Sequence, residues 1–265
     1  MMLVDTQVDT LVDTHCHLDA DEFDHDRPAV IARARAAGVV HQIVPATTAD
    51  RWAKLRTVCT GEEGLHPAYG LHPTFLAAHR DAQLTELAHW IERERPVAVG
   101  ECGLDYFVPD ADPEVQLQYF NAQLVLAREF DLPVIVHARR AVDAVIAAIR
   151  KVGGLRGVVH SFSGSRQQAE NLWQQGFLLG LGGPVTYGRA NRLRTLAATM
   201  PLEWLLLETD APDQPDAHIR GQRNEPARLP RILQTIAALR DVPATEIAAA
   251  TTANAERLFG LPTLR

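Results

Sequence analysis

The sequence predicts a parallel (β/α)8 barrel, the TIM-barrel fold, on three observations. Short runs rich in Val, Ile and Leu recur along the 265 residues, and amphipathic helical stretches separate them. Most of these runs are continuously apolar, which is typical of parallel strands buried on both faces. Eight such alternations fit a barrel of about 250 residues. An open doubly wound sheet lacks support, because no G-x-G-x-x-G motif follows the first run.

Eight segments are predicted strands. In order they are "LVDTHCH" (11–17), "HQIVPAT" (41–47), "PAYGLHP" (67–73), "PVAVGECGLD" (96–105), "PVIVHAR" (133–139), "GVVHSFSG" (157–164), "FLLGLGG" (177–183) and "EWLLLETDAP" (203–212). Several of them follow a helical pattern that stops in Gly or Pro, at Gly38, Pro96, Pro133 and Gly176. No linker or low-complexity segment divides the chain, so we expect one domain over residues 1–265, with residues 1–10 a frayed lead-in.

The composition excludes several classes of protein. No apolar run approaches the roughly 20 residues needed to span a bilayer, and aspartates interrupt the N-terminal region where a signal peptide would be apolar. Cys16, Cys59 and Cys102 form no C-x-x-C pair, so we expect buried, inert thiols and no disulfide framework. These features predict a cytoplasmic protein that does not enter a membrane.

The charge and the aromatic content bear on nucleic-acid binding. A net charge of −7 argues against a broad basic surface, and an aromatic content of 6% without clusters argues against a long base-stacking platform. If the substrate is nucleic acid, we expect recognition of its ends or of a short single strand. Nothing in the sequence indicates a stable protein partner, and we expect a monomer or weak oligomer.

Imidazole and carboxylate groups stand where five of the predicted strands end. They are His15 and His17 on the first strand, Glu101 on the fourth, His137 on the fifth, His160 on the sixth and Asp210 on the eighth. The carboxyl ends of barrel strands share one rim, where such enzymes carry their active sites. Each histidine alone also fits a hydrogen-bonded core residue. Six groups together favour a site for divalent ions, and they exceed what one tetrahedral ion needs, so two ions sharing a carboxylate is the economical arrangement.

The chain resembles the TatD family of metal-dependent hydrolases. The strings that carry the resemblance run in order from Val12 to Leu261: "DTHCHLD", "GLHP", "VGECGLDY", "LPVIVHAR", "VVHSFSGS", "LGLGG", "LLLETDAP", "RNEPARL" and "TTANAERLFGL". The resemblance implies an amidohydrolase-like TIM barrel with a two-metal site and phosphodiesterase activity, usually that of a DNase. It implies ligands for one ion at His15, His17 and Asp210, ligands for the other at His137 and His160, and a bridge at Glu101.

The implied reaction is hydrolysis of phosphodiesters at DNA or RNA ends, of the 3′–5′ exonuclease type. Two divalent ions (Zn, Mg or Mn) lower the pKa of water and neutralise charge on the phosphoryl oxygens. Asp210, both ligand and base, would orient a water molecule for in-line attack and accept its proton. Glu101 fits the bridge, because neither Lys54 nor Lys151 ends a strand as the carboxylated lysine of many amidohydrolases does.

A second group of residues is predicted to contact the substrate. It comprises His72, Asp105, Arg139, Ser161, Asn224 and Glu225. Alternatives stay open for most of them. Arg139 suits either a phosphate or a structural ion pair. Asp105 suits either the orientation of a ligand histidine or a cap on the following segment. Asn224 and Glu225 suit either the pocket or a helix start, with Pro226 at its first turn.

Two features of the sequence leave the chemical class of the substrate undecided. Where many family members continue "GLDY" with an aromatic or basic residue, this chain reads "FVPDADPE", and we expect Asp110, Asp112 and Glu114 in a loop that borders the site and repels a long polyanion. The same ligands also suit hydrolysis of an ester or amide, as in an aminoacyl-tRNA deacylase or a small-molecule amidohydrolase. A non-catalytic metal-binding barrel is disfavoured because all six ligands are present.

Overall fold

Eight parallel strands form one sheet in the order β1 to β8, as predicted. The computed structural model describes residues 10–109 and 112–262, so residues 1–9 of the predicted lead-in and Asp110 lie outside the described residues. The strands are β1 (Leu11–Asp13), β2 (Val39–Pro45), β3 (Leu65–Tyr69), β4 (Ala98–Asp105), β5 (Val134–Arg139), β6 (Gly157–Val159), β7 (Phe177–Leu181) and β8 (Leu205–Leu207).

Helices connect successive strands and cover the outside of the sheet. They are α1 (Arg27–Ala36), α2 (Trp52–Thr60), α3 (Ala82–Glu94), α4 (Pro113–Glu129), α5 (Val142–Val152), α6 (Arg166–Trp173), α7 (Asn191–Thr199), α8 (Leu229–Arg240) and α9 (Ala244–Phe259). In α5, for example, Val145, Ile146 and Ile149 are buried, which gives the helix one apolar face toward the strands. Among the described residues, no helix is long and apolar enough to cross a membrane.

Backbone hydrogen bonds join the β8 segment to the segment that follows β1. The Thr14 N–H donates to the carbonyl of Leu207 (3.0 Å), and the Asp210 N–H donates to the carbonyl of His15 (2.8 Å). The predicted first strand extends to residue 17, whereas β1 ends at Asp13. The segment beyond it still bonds to β2, through the Cys16 N–H and the Ile43 carbonyl (3.1 Å), and so stays in line with the barrel wall.

The barrel interior is packed with side chains and closed at one end. Each strand contributes one residue to this inner cluster, namely Val12, Ile43, Ala68, Ala98, Ile135, Val158, Leu178 and Leu206. Ala255, Leu258 and Phe259 of α9 join the cluster from the amino ends of the strands. The opposite end, where the strands finish, is therefore the one that opens to solvent. The three cysteines are free and buried, as expected.

Gly103 lets β4 pass close to β5, and we expect its replacement to destabilise the barrel. A Cβ at this position would lie 2.1 Å from the carbonyl oxygen of His137, and the φ of 143° is one that side chains disfavour. We expect Gly103→Ala to lower the free energy of unfolding by about 2–4 kcal/mol, measured by urea denaturation. Gly188→Ala is the matched control, because nothing lies within 4 Å of its added Cβ. Equal midpoints for the two variants would contradict the expectation.

Candidate metal centre

The six residues predicted to bind metal converge at the open end of the barrel. Glu101 lies at their centre, only 1% exposed, and its two carboxylate oxygens face different partners. Oε2 lies 3.1 Å from His15 Nε2 and 3.5 Å from His17 Nε2. Oε1 lies 3.1 Å from His137 Nδ1 and 2.8 Å from His160 Nε2. One carboxylate thus joins two groups of histidines.

The first group is His15, His17 and Asp210, which we name the β1/β8 group. The two Nε2 atoms lie 3.2 Å apart, and Asp210 Oδ1 lies 3.5 and 3.6 Å from them. Donors around a tetrahedral zinc ion lie about 3.3 Å from one another, given metal–nitrogen bonds of about 2.0–2.1 Å. The spacing of these donors, including that to Glu101 Oε2, fits a divalent ion.

The second group is His137 and His160, which we name the β5/β6 group. His137 Nδ1 and His160 Nε2 lie 3.1 Å apart, and both face Glu101 Oε1. His72 approaches the same oxygen, with Nε2 at 2.9 Å. Two imidazole lone pairs that face each other across this distance repel unless a proton or a cation lies between them. The donor set therefore also suits a cation here, and His72 is a third imidazole within its reach.

Burial and neighbouring charges shift the pKa values of the clustered residues in opposite directions. Burial would raise the pKa of the Glu101 carboxyl, but the charges of His72, His160 and His15 hold that pKa well below its usual value. Burial, reinforced by the charge of His160, lowers the pKa of His15 to about 4. Burial would also lower the pKa of His17, but its hydrogen bond to Asp210 and the charge of Glu101 raise it to about 9. Protons thus occupy part of the cluster at neutral pH, where an incoming cation would replace them.

Asp105 holds His137 in place. Its Oδ2 lies 2.9 Å from His137 Nε2, on the far side of the ring from Glu101. Its Oδ1 accepts hydrogen bonds from the N–H groups of Phe107 (2.8 Å) and Val108 (3.2 Å). Both interpretations of Asp105 from the sequence therefore describe real contacts: it orients a histidine and it also fixes the following turn.

Removal of the Asp105 carboxylate is expected to loosen the β5/β6 group. A carboxylate behind a metal-binding histidine fixes its ring and its tautomer, and its loss typically weakens metal binding about 10–100-fold. We expect that loss for Asp105→Ala in a titration with Mn²⁺ or Zn²⁺. Asp143→Ala on α5 is the control, since its carboxylate bonds Gln168 away from the centre. Unchanged affinity in Asp105→Ala would show that Glu101 alone orients the ring.

A cavity of about 760 Å³ opens above the cluster. Of the predicted substrate contacts, His72, Asp105, Arg139 and Ser161 line it. The structure does not bring the remaining two to the cavity. The Asn224 side-chain amide donates to the carbonyls of Thr209 and Asp213, and Glu225 pairs with Arg33 of α1.

The segment with Asn224 and Glu225 therefore contributes structure at this site. Pro226 begins a short 3₁₀ turn (Pro226–Arg228), in agreement with the predicted helix start. Asn224, itself 1% exposed, ties together the chain that follows β8 and carries Asp210. Asp112 and Glu114 belong to the start of α4 and not, as the sequence had predicted, to a free loop beside the site. Asp112 caps the amino end of α4, and Glu114 lies in its first turn.

Two residues that sequence reasoning missed support the centre. Glu208 is fully buried; its Oε1 accepts the Ser161 N–H and lies 3.8 Å from His160 Nδ1. Burial raises the pKa of Glu208 to about 8. Gln214 donates from Nε2 to Asp210 Oδ2 and receives the Ser161 hydroxyl at Oε1 (2.8 Å). The spacing of "ETD" could have indicated Glu208, because residues two apart in a strand share a face.

Comparisons with known proteins identify the family of this chain. A family model described as TatD related DNase matches residues 12–260. The uncharacterized metal-dependent hydrolase YjjV of Escherichia coli K12 is 44% identical over 254 residues, which cover 95% of this chain and 98% of YjjV. The 3′-5′ ssDNA/RNA exonuclease TatD of Erwinia tasmaniensis is 36% identical over 263 residues, which cover 95% of this chain and 100% of that protein.

The fold comparison gives the same result. The crystal structure of YjjV, a TatD homolog from Escherichia coli K12, matches with a TM-score of 0.91 at 42% identity and covers 96% of this chain and 100% of that one. The family model spans most of the chain, and the relatives match it over nearly their full lengths. The chain therefore belongs to the TatD family and is a metal-dependent hydrolase.

Proposed function

We propose that this protein is a two-ion phosphodiesterase that shortens single-stranded DNA or RNA from the 3′ end. The observation that carries the proposal is the Glu101 carboxylate, whose two oxygens face the β1/β8 group and the β5/β6 group. Two-ion sites that share a bridging group are suited to in-line displacement at phosphorus. The 36% identity to a protein named 3′-5′ ssDNA/RNA exonuclease supports the choice of substrate.

The residues of the metal centre would have different roles in this reaction. Bound divalent ions would polarise the phosphoryl oxygens and make water a better nucleophile at neutral pH. The β1/β8 group and the β5/β6 group would hold one ion each, and Glu101 would bridge them. Asp210 would accept the proton of the attacking water, and the Gln214 amide donates to the carboxylate oxygen that faces away from His15 and His17.

Residues on the cavity wall would bind and orient the strand end. Arg139 is exposed and lines the cavity, and no described carboxylate lies within the 4.0 Å of an ion pair, so its guanidinium is available to a phosphate. The Ser161 hydroxyl bonds Gln214 and so connects the wall to Asp210. These contacts favour the phosphate interpretation of Arg139 over the structural ion pair.

The direct test is hydrolysis of a 5′-labelled single-stranded oligonucleotide by metal-loaded protein. We expect a ladder of products shortened from the 3′ end, which is lost with a chelator and in His137→Ala. The control variant is His89→Ala, because His89 lies on α3, away from the cluster. Release of the label as a mononucleotide from the start, without a ladder, would reverse the polarity. Absence of cleavage by folded, metal-loaded protein, together with turnover of p-nitrophenyl esters, would replace the proposal by ester hydrolysis.

Metal affinity is expected to increase with pH. An imidazole binds an ion only when neutral, and without metal the pKa of His17 is raised to about 9, by Asp210 and Glu101 against the effect of burial. Protons therefore compete with the ion below that pH, and the competition weakens as pH rises. We expect Mn²⁺ titrations at pH 6, 7 and 8 to show increasing affinity, up to about tenfold per pH unit for each proton released. Affinity that does not change over this range would contradict the proton exchange.

A further inference from the structure

Exposed aromatic side chains are concentrated beside the cavity: Phe75 lines it, and Tyr106 and Phe107 lie next to its lining residue Asp105. Among the described residues, four large hydrophobic side chains are more than a third exposed: Phe75, Tyr106, Phe107 and Phe130. Phe75 follows β3, and Tyr106 and Phe107 follow β4, so these three lie at the open end of the barrel. Phe130 follows α4, at the closed end. An accumulation of exposed rings beside an active site indicates a binding surface.

Two arginines accompany these rings. The guanidinium carbon of Arg139 lies 3.7 Å from the centre of the Phe107 ring, and that of Arg140 lies 4.4 Å from it. Both arginines are exposed, and in the described parts of the chain neither has a carboxylate within the 4.0 Å of an ion pair. Among the described residues neither arginine is therefore held in an ion pair, although the charge of Arg139 contributes to lowering the pKa of Asp105.

Hydrogen bonds and a ring contact connect the segments that carry these rings and arginines to residues of the metal centre. Asp105 binds His137 with one oxygen and the Phe107 N–H with the other. The Tyr106 N–H donates to the Arg139 carbonyl at 2.9 Å. On the neighbouring loop, the Phe75 ring centre lies 5.8 Å from that of His72, whose Nε2 contacts Glu101. The surface consequently has a fixed position relative to the ligands.

The opposite wall of the cavity carries an excess of acidic groups. Asp19, Asp21, Glu22 and Asp213 line the cavity on the loops after β1 and β8, and Arg51, which also lines it, pairs with Asp21 at 2.7 Å. A polyanion that reaches the centre is repelled from that side and attracted to the side of Arg139 and Arg140. The charges of these residues thus favour approach of the polyanion from the side of Arg139 and Arg140.

We propose that Phe75, Tyr106, Phe107, Arg139 and Arg140 form a docking surface for single-stranded nucleic acid, which we name the aromatic–arginine rim. This inference rests on the proposed function and specifies where the uncleaved part of the strand lies. The arginines contact its phosphates, and the rings stack on its bases. A single strand exposes the faces of its bases, whereas a duplex buries them, so the rim selects single strands.

The test compares Phe107→Ala and Arg140→Ala with Phe130→Ala and Arg150→Ala. The two controls remove an exposed phenyl ring and an exposed arginine at the closed end of the barrel. Each metal-loaded protein is assayed on a 20-nucleotide single strand and on bis-p-nitrophenyl phosphate. We expect the ratio of kcat/KM for the strand to that for the small diester to fall about tenfold in each rim variant and to stay at the wild-type value in the controls. Phe107→Trp should restore the ratio.

Binding without cleavage is measured separately, in chelator, with a strand that contains 2-aminopurine. We expect fluorescence quenching by stacking in the wild-type protein and loss of quenching in Phe107→Ala. The slope of log affinity against log salt should become shallower by about 0.7 in Arg140→Ala, as for one lost phosphate contact.

The outcomes separate this inference from the proposed function. Cleavage of the strand, with rim variants that behave like the controls, would overturn the aromatic–arginine rim alone. Binding at the rim without hydrolysis of either substrate would overturn the proposed function alone. A wild-type protein that neither binds nor cleaves the strand would overturn both.

Discussion

Glu101→Gln is expected to lower turnover of a single-stranded oligonucleotide by about 10³-fold or more. The carboxylate contributes one oxygen to each group of histidines, and an amide offers one oxygen only. Loss of the shared ligand removes several kcal/mol of charge stabilisation in the transition state, and about 4 kcal/mol corresponds to a factor of 10³. Metal analysis by mass spectrometry should show at most one ion per chain in the variant, against two in the wild-type protein.

The matched control is Glu63→Gln, an exposed position between α2 and β3 at the closed end. It makes the same chemical change away from the centre, so metal content and turnover should equal those of the wild-type protein. Circular dichroism is recorded for both variants to show that the barrel is folded. If Glu101→Gln kept two ions and full turnover, the bridge would have to be assigned to another group.

Asp210→Asn is expected to separate catalysis from metal binding. Burial would raise the pKa of Asp210, but its hydrogen bond to His17 and the charges of His15 and His160 lower it to about 2. The carboxylate is therefore ionised across the neutral range and can accept a proton, whereas asparagine cannot. Loss of a general base typically costs a factor of about 10²–10⁴ in kcat. We expect that loss, with most of the metal retained because the amide oxygen still faces His15 and His17.

Asp241→Asn is the control for this change. Asp241 follows α8 at the closed end with a φ of 55°, a conformation that asparagine accepts readily. Its turnover should equal that of the wild-type protein. Full turnover in a metal-loaded Asp210→Asn protein would exclude Asp210 as the base and leave it as a ligand only.

The number of strands was predictable from the sequence, because buried parallel strands are continuously apolar and the helices between them end in Gly or Pro. Gly38 and Gly176 each adopt a φ of 84° directly before β2 and β7, as the predicted helix stops require. The strand ends were less predictable. The segments predicted as the sixth and eighth strands extend past β6 and β8 and include left-handed residues that a strand does not contain, Ser161 with a φ of 47° and Asp210 with a φ of 58°. No local pattern marks a serine or an aspartate for such a turn.

The site was predictable where it depends on strand ends and unpredictable where it depends on loops. His15 and His17 were predicted as ligands because they end the first predicted strand together with similar groups on four others, and their Nε2 atoms lie 3.2 Å apart. Gln214 carried no such signal, since it reaches Asp210 only through the turn after β8. The exposed position of Phe107 was equally hidden, because it depends on the hydrogen bond from its N–H to Asp105.

The hydrogen bond from the Asp210 N–H to the His15 carbonyl joins residues that are 195 positions apart along the chain. A ribosome makes those two ends of the site at different times. Glu101, His137 and His160 are complete once residue 160 has emerged, whereas the β1/β8 group waits for residue 210. A chain still under synthesis at residue 160 therefore carries five of the six candidate ligands and lacks Asp210, the residue proposed as the base. The β1/β8 group and the hydrogen bonds from β8 to the segment after β1 therefore depend on the same late part of the chain, so the centre is complete only once the sheet has received its last strand.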